Sequence, residues 1–467
     1  MEKEIPLYKA IYNKIVNRIL VGSYPKGYQL ASAQKIHARY GVGYTSIRRA
    51  MHLLEQDGFI RQEARRRPTV VFDPEDEGCR RLRQRIFLSH LTAHADCYRA
   101  LPYVLPGLVC LGARQPSPRL LRGLRALCAQ PEESFATRYD LLFLAYAWQS
   151  LVVEQAGSAL AADLFLQIHG FDELRFTALP PAALMPGEVR GALETLRYWT
   201  DLVERGALED LYRMISIFCL EARASLERAF CPLAGLPELQ KAGQVEFRWY
   251  LHQTPAPLYQ KIAFDLMRTA CLEGLNAGDA LPAEAALIER YGVAAVTVRS
   301  AIALLSELGL THTVNGVGTL LTGRPAQGEG VARCLRQSRE SLQILAACSY
   351  ALALQAAPAL AGRAGALRSG LCERRAREGA VLWLLGQLVS AVPSQALAVV
   401  FEQLETQYLF GLYASGLPGS PGRAAQLKEV SRQADACLAL LEAGDKEGFA
   451  ARLCGLCRSR CAELETL

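Results

Sequence analysis

The chain has 467 residues, of which 51% are hydrophobic and 21% charged, and it carries 14 cysteines and a net charge of +6. This length is too great for one ordinary domain and suits three or four. The first residues, Met1-Glu2-Lys3-Glu4, do not resemble a signal peptide, and no uncharged apolar run approaches the length that spans a bilayer. We therefore expect a soluble, cytoplasmic protein whose cysteines are reduced.

A long segment of the chain occurs twice. Residues 6–58 match residues 257–309 without a gap, at a constant offset of 251 residues. Many residues of the first copy have an identical counterpart in the second, among them Leu7, Tyr8, Gly27, Leu30, Tyr40, Gly41, Val42, Arg48, Leu53 and Leu54. A repeat of this length predicts two copies of one structural unit.

The first copy begins with two predicted helices. The first covers residues 8–21 and carries an apolar stripe formed by Ile11, Ile15, Ile19 and Leu20. Pro25 and Gly27 then interrupt the chain, and Ser32 is placed to cap a second helix that runs to Tyr40.

A third helix and two strands complete the unit. The turn at residues 41–43 leads into a helix from about Thr45 to Gln56, whose inward residues are Ile47, Ala50, Met51 and Leu54. Strands are predicted at 59–62 and 69–72, with three arginines at the tip between them. This order is a helix-turn-helix followed by a β-wing.

Both copies resemble the N-terminal winged-helix domain of GntR-family bacterial transcription regulators. The shared Leu-Tyr pair, the Tyr-Gly-Val turn and the arginine of the third helix carry the resemblance. It implies that the third helix lies in the major groove of DNA, where side chains reach the base edges. The wing and the helix N-termini would hold phosphates.

The resemblance also implies specific DNA contacts in the first copy. Arg48 matches the arginine of the family's recognition helix, and Thr45 and Ser46 match its hydroxyl pair. Tyr44 and Gln34 stand where the family has arginines, and an arginine run replaces the wing's usual Gly-x-Gly. The predicted contacts of this copy are Gln34, Tyr44, Thr45, Ser46, Arg48, Arg49, Arg65, Arg66 and Arg67.

The second copy departs further from the family pattern. Ala285 and Ala295 stand in place of arginines, and Ala283 replaces the capping serine. Its predicted DNA contacts are Thr297, Arg299, Gly316, Gly318 and Thr319.

Charge separates the two copies. Residues 1–72 hold 13 basic and 5 acidic side chains, a net charge of +8, whereas residues 255–322 hold 4 basic and 6 acidic, a net charge of −2. Because contacts with phosphates supply most of the non-specific affinity for DNA, we expect the basic first copy to be the one that binds DNA. The second copy either binds DNA weakly or serves as a packing partner.

Leu- and Ala-rich helical regions follow each winged helix. The predicted fold is therefore mainly α, in four domains: a winged helix at 1–73, a helical bundle at 80–230, a second winged helix at 246–323 and a second bundle at 331–467. Helix breaks are predicted at prolines, among them Pro102 and Pro358.

The helical regions faintly resemble the FCD-type effector domain of one GntR subfamily, over 140–143, 197–215 and 432–453. Many such domains hold a metal through one aspartate and three histidines. Asp140 matches the aspartate, but the histidine positions are Leu144, Leu196 and Phe218, so neither a metal nor another cofactor is predicted. The regions would bind an effector in another way or serve only for assembly.

Three cysteines near the end of the chain, Cys454, Cys457 and Cys461, lie on one face of a predicted helix. No histidine or fourth ligand is near, so we interpret them as core residues and not as a metal site or a thiol switch. Nor does the sequence carry a phosphate-binding glycine loop, a nucleophile elbow or a metalloprotease histidine pair, so an enzyme is not predicted.

The expected function is sequence-specific binding of double-stranded operator DNA by a transcription regulator, with a small-molecule effector as a further candidate partner. The alternative is a regulator that has lost specific DNA binding and acts by protein contact. With two halves in one chain, the protein could form an intramolecular pseudo-dimer, a homodimer or both.

Overall fold

The computed structural model describes residues 7–20, 24–40, 43–63, 66–178, 187–230, 244–249, 257–275, 277–326, 331–374, 378–416, 418, 420 and 422–465. The chain divides into two compact units. The first comprises Met1–Tyr98, Gln115–Gln155 and Ala162–Pro255, and the second comprises Arg99–Arg114, Ala156–Ala161 and Ala256–Leu467.

The elements of the first half alternate between a winged helix and long helices. In chain order they are α1 (Leu7–Leu20), α2 (Ala33–Tyr40), α3 (Tyr44–Gln56), β1 (Ile60–Arg61), β2 (Thr69–Val70), α4 (Glu77–Ala113), α5 (Pro118–Cys128), a 3₁₀ turn (Glu132–Ser134), α6 (Arg138–Gln155), α7 (Ala159–Ala178), α8 (Glu188–Arg205) and α9 (Leu208–Phe230).

The second half repeats this order. Its elements are α10 (Leu258–Glu273), α11 (Glu284–Tyr291), α12 (Ala295–Glu307), β3 (Thr311–Val314), β4 (Gly318–Leu321), α13 (Val331–Leu360), a 3₁₀ turn (Ala361–Arg363), α14 (Ala364–Glu373), α15 (Ala380–Ser390), α16 (Gln395–Ala414), α17 (Arg423–Glu442) and α18 (Lys446–Glu465).

The first winged helix has a continuous apolar core. It contains all four predicted inward residues of α3, together with Ile11, Leu30, Phe59 and Val70 from the other elements. The side chain of Ser32 caps α2, since it accepts a hydrogen bond from the Lys35 amide at 3.3 Å, as the sequence predicts. Antiparallel pairing of Ile60 with Val70 forms the base of the wing.

The second winged helix preserves these interactions 251 residues later. Thr311 pairs with Leu321, as Ile60 does with Val70. The Gly278 amide donates to the Leu321 carbonyl at 2.9 Å, as the Gly27 amide does to the Val70 carbonyl at 2.8 Å. The repeat therefore extends beyond residue 58 through the whole wing.

The first helical bundle is built around two tryptophans. Trp148 on α6 and Trp199 on α8 are fully buried and make an edge-to-face contact with ring centroids 5.4 Å apart. The Trp148 indole N–H donates to the Thr200 hydroxyl at 2.9 Å, which satisfies this buried donor. Gly206, at φ 69°, ends α8 in the left-handed conformation before α9 begins.

In the second unit the winged helix is fastened to its own bundle. α10 contacts α16, where Arg268 forms an ion pair with Glu405 at 2.8 Å and Phe264 packs on Phe410 with ring centroids 4.0 Å apart. A buried cluster holds the bundle itself, because Glu378 accepts hydrogen bonds from both Arg423 and Arg460.

The predicted helix breaks at Pro102 and Pro358 are wrong. α4 continues through Pro102 and Pro106, and α13 contains Pro358. An interior proline costs a helix about 3 kcal/mol. Most side chains from Ala100 to Val109 are buried, and burying each large apolar side chain gains about 1.5–3 kcal/mol, so packing outweighs the local cost.

The predicted fold class is confirmed: the protein is mainly helical, with two winged helices each followed by a helical region. Among the described residues, one stretch, Val331–Glu373, is long and apolar enough to cross a membrane. Two thirds of its apolar window is buried inside the protein, as in the core helix of a bundle.

Candidate nucleic-acid interface

The recognition helix of the first winged helix, α3, presents polar residues at its N-terminal end. Tyr44 and Thr45 are exposed, Ser46 is half-buried, and the next residue, Ile47, is fully buried in the core. This burial anchors the helix from one side and leaves Tyr44 and Thr45 on the side that faces solvent.

Arg48 is exposed on α3 and forms no ion pair or hydrogen bond with any residue in the described part of the chain. Arg49, its neighbour, is held differently, since its guanidinium lies 4.1 Å from the centroid of the Tyr8 ring on α1. The structure thus separates two adjacent predicted contacts: Arg48 has its donors available, whereas Arg49 braces α3 against α1.

The N-terminal end of α2 lies beside this helix. Gln34 is exposed in its first turn, and the ring of His37, one turn further on, stacks on Tyr44 at 4.8 Å. Tyr44 stands where the family has an arginine. The stacking holds its ring in place, so this position presents an aromatic ring and a hydroxyl group.

The wing of the first copy supplies basic side chains. Arg66 forms an exposed ion pair with Glu63 at 2.9 Å, and Arg67 is exposed. Arg65 lies outside the described residues. Since the Arg66–Glu63 pair is more than half exposed on the arginine side, it is weak and can exchange for a phosphate.

The recognition helix of the second copy, α12, has a different chemistry. Arg299 donates to one oxygen of Glu284 through both Nε and Nη2, each at 2.9 Å. The hydrogen bond to Glu284 raises the pKa of Arg299 above its usual range. Thr297 is half-buried, and Val296, beside it, is 67% exposed, so this helix presents an apolar side chain next to a charged arginine that is paired with a carboxylate.

The second wing keeps its glycine geometry but lacks basic side chains at its tip. Gly316 and Gly318 have φ values of 80° and 122°, which L-residues rarely adopt. Thr319 lies across from Thr313, with their hydroxyls 3.2 Å apart, and Val317 at the tip is 63% exposed.

Glu284 is the residue that sequence reasoning missed. It stands 251 residues after Ala33, at the first position of the equivalent helix. The repeat already contained this signal, because Ala33 of the first copy corresponds to Glu284 of the second. The sequence does not show that Arg299 is the partner of Glu284, because the two residues are brought together only by the packing of α11 on α12.

Two regions of the chain match a described protein family. The family model for bacterial regulatory proteins of the gntR family matches residues 7–71 and 258–321, which are the two winged helices. Both winged helices are therefore similar to the DNA-binding region of GntR-family regulators. The predicted resemblance is therefore confirmed.

One GntR-family relative is the mannosyl-D-glycerate transport/metabolism system repressor MngR of Escherichia coli (strain K12), 45% identical over 64 residues. The match covers 14% of this chain and 26% of the relative, so it spans about a quarter of the relative's length.

Solved GntR-family structures also align with the chain. A Streptococcus agalactiae GntR aligns over 47% of this chain and all of its own, with 14% identity and a TM-score of 0.24. E. coli McbR/YncC aligns over 49% of this chain and all of its own, with 14% identity and a TM-score of 0.26.

In the first bundle, the residues that the sequence analysis compared with an FCD-type metal site make other interactions. The Asp140 carboxylate accepts hydrogen bonds from the Ala136 and Thr137 amides at 2.9 and 2.7 Å, and so organises the start of α6. Leu144 and Leu196 are buried in the core. Apolar side chains and a carboxylate engaged in this way are a poor donor set for a metal ion.

In the second bundle, Ala434 on α17 and Leu456 on α18 are buried apolar residues. Cys454 and Cys457 are buried beside them, and Cys461 is partly buried on the same helix. Burial raises the pKa of the Cys457 thiol, which keeps it protonated. In the described part of the chain, no group of three histidine, cysteine, aspartate or glutamate residues could hold a metal ion.

An open cleft lies between α5 and α8 of the first bundle. Arg125, Arg197 and Glu204 line it, and Arg125 forms an ion pair with Glu204 at 2.5 Å. Arg197 donates to the Cys128 carbonyl at 3.0 Å, which holds its guanidinium at the wall of the cleft. Asp201 also lines the cleft, so its two arginines face two carboxylates and the lining is polar without a net charge.

Proposed function

We propose that this protein is a transcription regulator that binds double-stranded operator DNA chiefly through its first winged helix. The observation that carries the proposal is Arg48, an exposed recognition-helix arginine with its donors available, on a module of net charge +8. In the second copy the same arginine is paired with Glu284 on a module of net charge −2. The repressor name of the relative in E. coli supports a regulatory role.

The proposed binding mode follows from the orientation of α3. The helix enters the major groove with Thr45 and Ser46 at its leading end, and Arg48 donates to a base edge, most favourably guanine O6 and N7. Arg66 and Arg67 on the wing bind phosphates, which positions the module without reading sequence. Gln34 and Tyr44 flank the helix and complete the contact surface.

The two halves of the chain are proposed to form an intramolecular pseudo-dimer. α4 is the first long helix after one winged helix, and α13 is the first after the other. The part of α4 from Arg99 to Arg114 belongs to the same compact unit as α13. There, a Cβ atom on Gly107 would lie 2.7 Å from the Ala347 carbonyl oxygen, so the two helix backbones are in close contact.

Two further roles are proposed for the remaining parts. The helical regions assemble the chain, and the cleft at Arg125 and Arg197 is the candidate site for a small polar effector. The second winged helix serves mainly as a packing partner, because α10 is fixed to its own bundle by Arg268 and Glu405. We place the protein in the cytoplasm, where its DNA target lies.

The test is selection of genomic DNA fragments by the full chain, followed by titration of a selected duplex and a random duplex at several salt concentrations. The proposal predicts sequence-selective binding and a steep salt slope, with about 0.9 units of slope for each phosphate contact. Intact, monodisperse protein that selects no fragment even at low salt would instead favour a regulator acting by protein contact.

A further inference from the structure

We propose that helix α9 of the first bundle is a docking surface for the α9 helix of a second copy of this chain. Ile217 and Leu220 on α9 are 47% and 43% exposed, and the half-buried Ala224 continues their line at helical spacing. We call these three residues the α9 stripe. Apolar side chains that are grouped on a surface are typical of a contact with another protein.

Tyr198 on α8 enlarges the apolar surface beside the stripe. α8 and α9 form an antiparallel pair, in which Trp199 packs edge-to-face on Phe218 with ring centroids 5.5 Å apart. Tyr198 and Ile217 each come one residue before this contact. In antiparallel helices, the residues that precede a facing pair turn to the same side, because each residue adds the same rotation. Tyr198 is 48% exposed, so its ring lies on the same side as Ile217.

The fold does not require large apolar residues at the stripe, because the last helix of the second bundle, α18, lacks them. Gly206 before α9 and Gly444 before α18 have left-handed φ values of 69° and 77°. Each glycine carbonyl accepts a hydrogen bond from the amide two residues later, at 2.9 and 3.1 Å. The two helices therefore correspond at an offset of 238 residues.

The inward and outward faces of these two helices have diverged differently. Three buried apolar positions are shared, namely Leu211, Ile215 and Cys219 in α9 and Phe449, Leu453 and Cys457 in α18. The exposed residue Gly455 corresponds to Ile217. The exposed residue Arg458 corresponds to Leu220. Thus α18 has the outer face of a helix that meets water, whereas α9 has the outer face of a helix that meets a partner.

The charges of α9 fit an antiparallel copy of the same helix. Its first turn is acidic through Glu209 and Asp210, and its last turn is basic through Arg228. A twofold axis midway along the stripe places Ile217 of each copy opposite Leu220 of the other. In the same register, Glu209 lies opposite Arg228. Neither of these two residues has an ion-pair partner among the residues that the structure describes, so both charges are available to the other copy.

The like charges that meet in this register are compensated within each helix. Asp210 comes opposite Glu227, but Asp210 is paired with Arg213 at 3.5 Å and Glu227 with Arg223 at 2.9 Å. Arg213 comes opposite Ala224, whose methyl group its alkyl stem can cover. A helix that matches itself in both its apolar positions and its charges is suited to a twofold dimer, in which both chains use the same patch.

Such a dimer brings two first winged helices into one particle. This consequence rests on the proposed function, whereas the docking surface itself does not. Since only one winged helix of each chain is strongly basic, two chains supply the two readers that a twofold-symmetric operator takes.

The experiment is sedimentation velocity of the full chain over a range of concentrations, without DNA. Leu220→Arg gives α9 the residue of α18 and places a charge at the centre of the surface. Leu166→Arg is the matched control, because Leu166 is another leucine of the first bundle and is 41% exposed. Glu209→Arg, Arg228→Glu and the two changes together test the register.

The parent is expected to form a dimer whose population rises with concentration. Leu220→Arg should raise the dissociation constant of this dimer by about tenfold or more, whereas Leu166→Arg should change it by less than about twofold. Each single charge reversal should weaken the dimer. The double reversal should restore it, because opposite charges then face each other again.

A parent that is monomeric at every concentration would overturn the proposal and would assign the stripe to a different protein. Dimers that persist in Leu220→Arg, or equal losses in Leu166→Arg, would overturn it too. A double reversal that dimerises no better than the single reversals would overturn the antiparallel register. Failure of the proposed function gives a different result, since the parent would then dimerise through α9 and yet select no DNA fragment.

Discussion

At the scale of single residues, an equivalent arginine has a different environment in each copy. Arg48 is exposed without an ion-pair partner in the described part of the chain, and Arg299 is bound by Glu284. The sequence predicted both arginines from the repeat. It did not predict the environment of either, because Glu284 is 15 residues from Arg299 along the chain and meets it only through packing of α11 on α12.

Wing arginines are expected to act on all DNA sequences alike. Arg67→Ala should weaken specific and random duplexes equally and should flatten the salt slope by about 0.9, because one phosphate contact is lost. Glu63→Gln should have the opposite effect and strengthen binding to both duplexes, since it releases Arg66 from its ion pair. Titration over a range of salt concentrations checks both, and a loss confined to the specific duplex would show that Arg67 contacts a base.

The hydroxyl of Thr200 is expected to stabilise the first bundle. Thr200→Val removes the acceptor of the Trp148 indole N–H and leaves that buried donor unsatisfied, which should lower the free energy of unfolding by about 1–3 kcal/mol. Thr195→Val, on the same helix but exposed, should change it by less than about 0.5 kcal/mol. Urea unfolding followed by tryptophan fluorescence compares them, and equal midpoints would contradict the assigned role.

At the scale of elements, local signals sufficed for the winged helices. The apolar spacing of Ile47 and Leu54 and the capping side chain of Ser32 predicted α2 and α3 to within one residue at the ends that were assigned. The long helices were harder to predict. Pro102 signals a break by its own chemistry, and α4 passes through it because tertiary packing around Val104 and Leu108 outweighs the local cost.

The buried charge cluster of the second unit is expected to be sensitive to loss of its carboxylate. Glu378→Gln removes the negative charge between Arg423 and Arg460, whose side chains are 3% and 4% exposed, and should cost about 3–5 kcal/mol of stability. Glu373→Gln, an exposed residue nearby in sequence, should cost less than about 0.5 kcal/mol. Thermal or urea unfolding measures the difference, and similar stability of the two variants would contradict the account.

At the scale of the whole molecule, the duplication explains the architecture. Two winged helices and two helical regions lie in one chain, and the copies have diverged in charge from +8 to −2 while their backbones have stayed in register. In a homodimer of chains that each carry one winged helix, the two DNA-binding domains are identical, since one sequence encodes both. A duplicated chain is free of this constraint, so one winged helix can lose its affinity for DNA while it continues to pack against the rest of the protein.

At Gly107, α4 lies so close to α13 that we expect any side chain there to destabilise the protein. Gly107→Ala places a methyl group against the Ala347 backbone and should destabilise the protein by about 1–3 kcal/mol. Gly191→Ala is the matched control, because nothing lies within 4 Å of its Cβ position, and it should stabilise α8 by up to about 1 kcal/mol. Unfolding midpoints test this, and a neutral Gly107→Ala would contradict the close packing that supports the pseudo-dimer.

The central claim is that the first winged helix reads DNA and the second does not. The most direct test is the affinity of Arg48→Ala and Arg299→Ala, in the full chain, for a duplex that the parent protein selects. The account predicts that Arg48→Ala loses about 1–3 kcal/mol on this duplex and less on random DNA, while Arg299→Ala binds like the parent. Equal losses in the two variants would contradict it and would mean that both copies read the operator as a pair of half-sites.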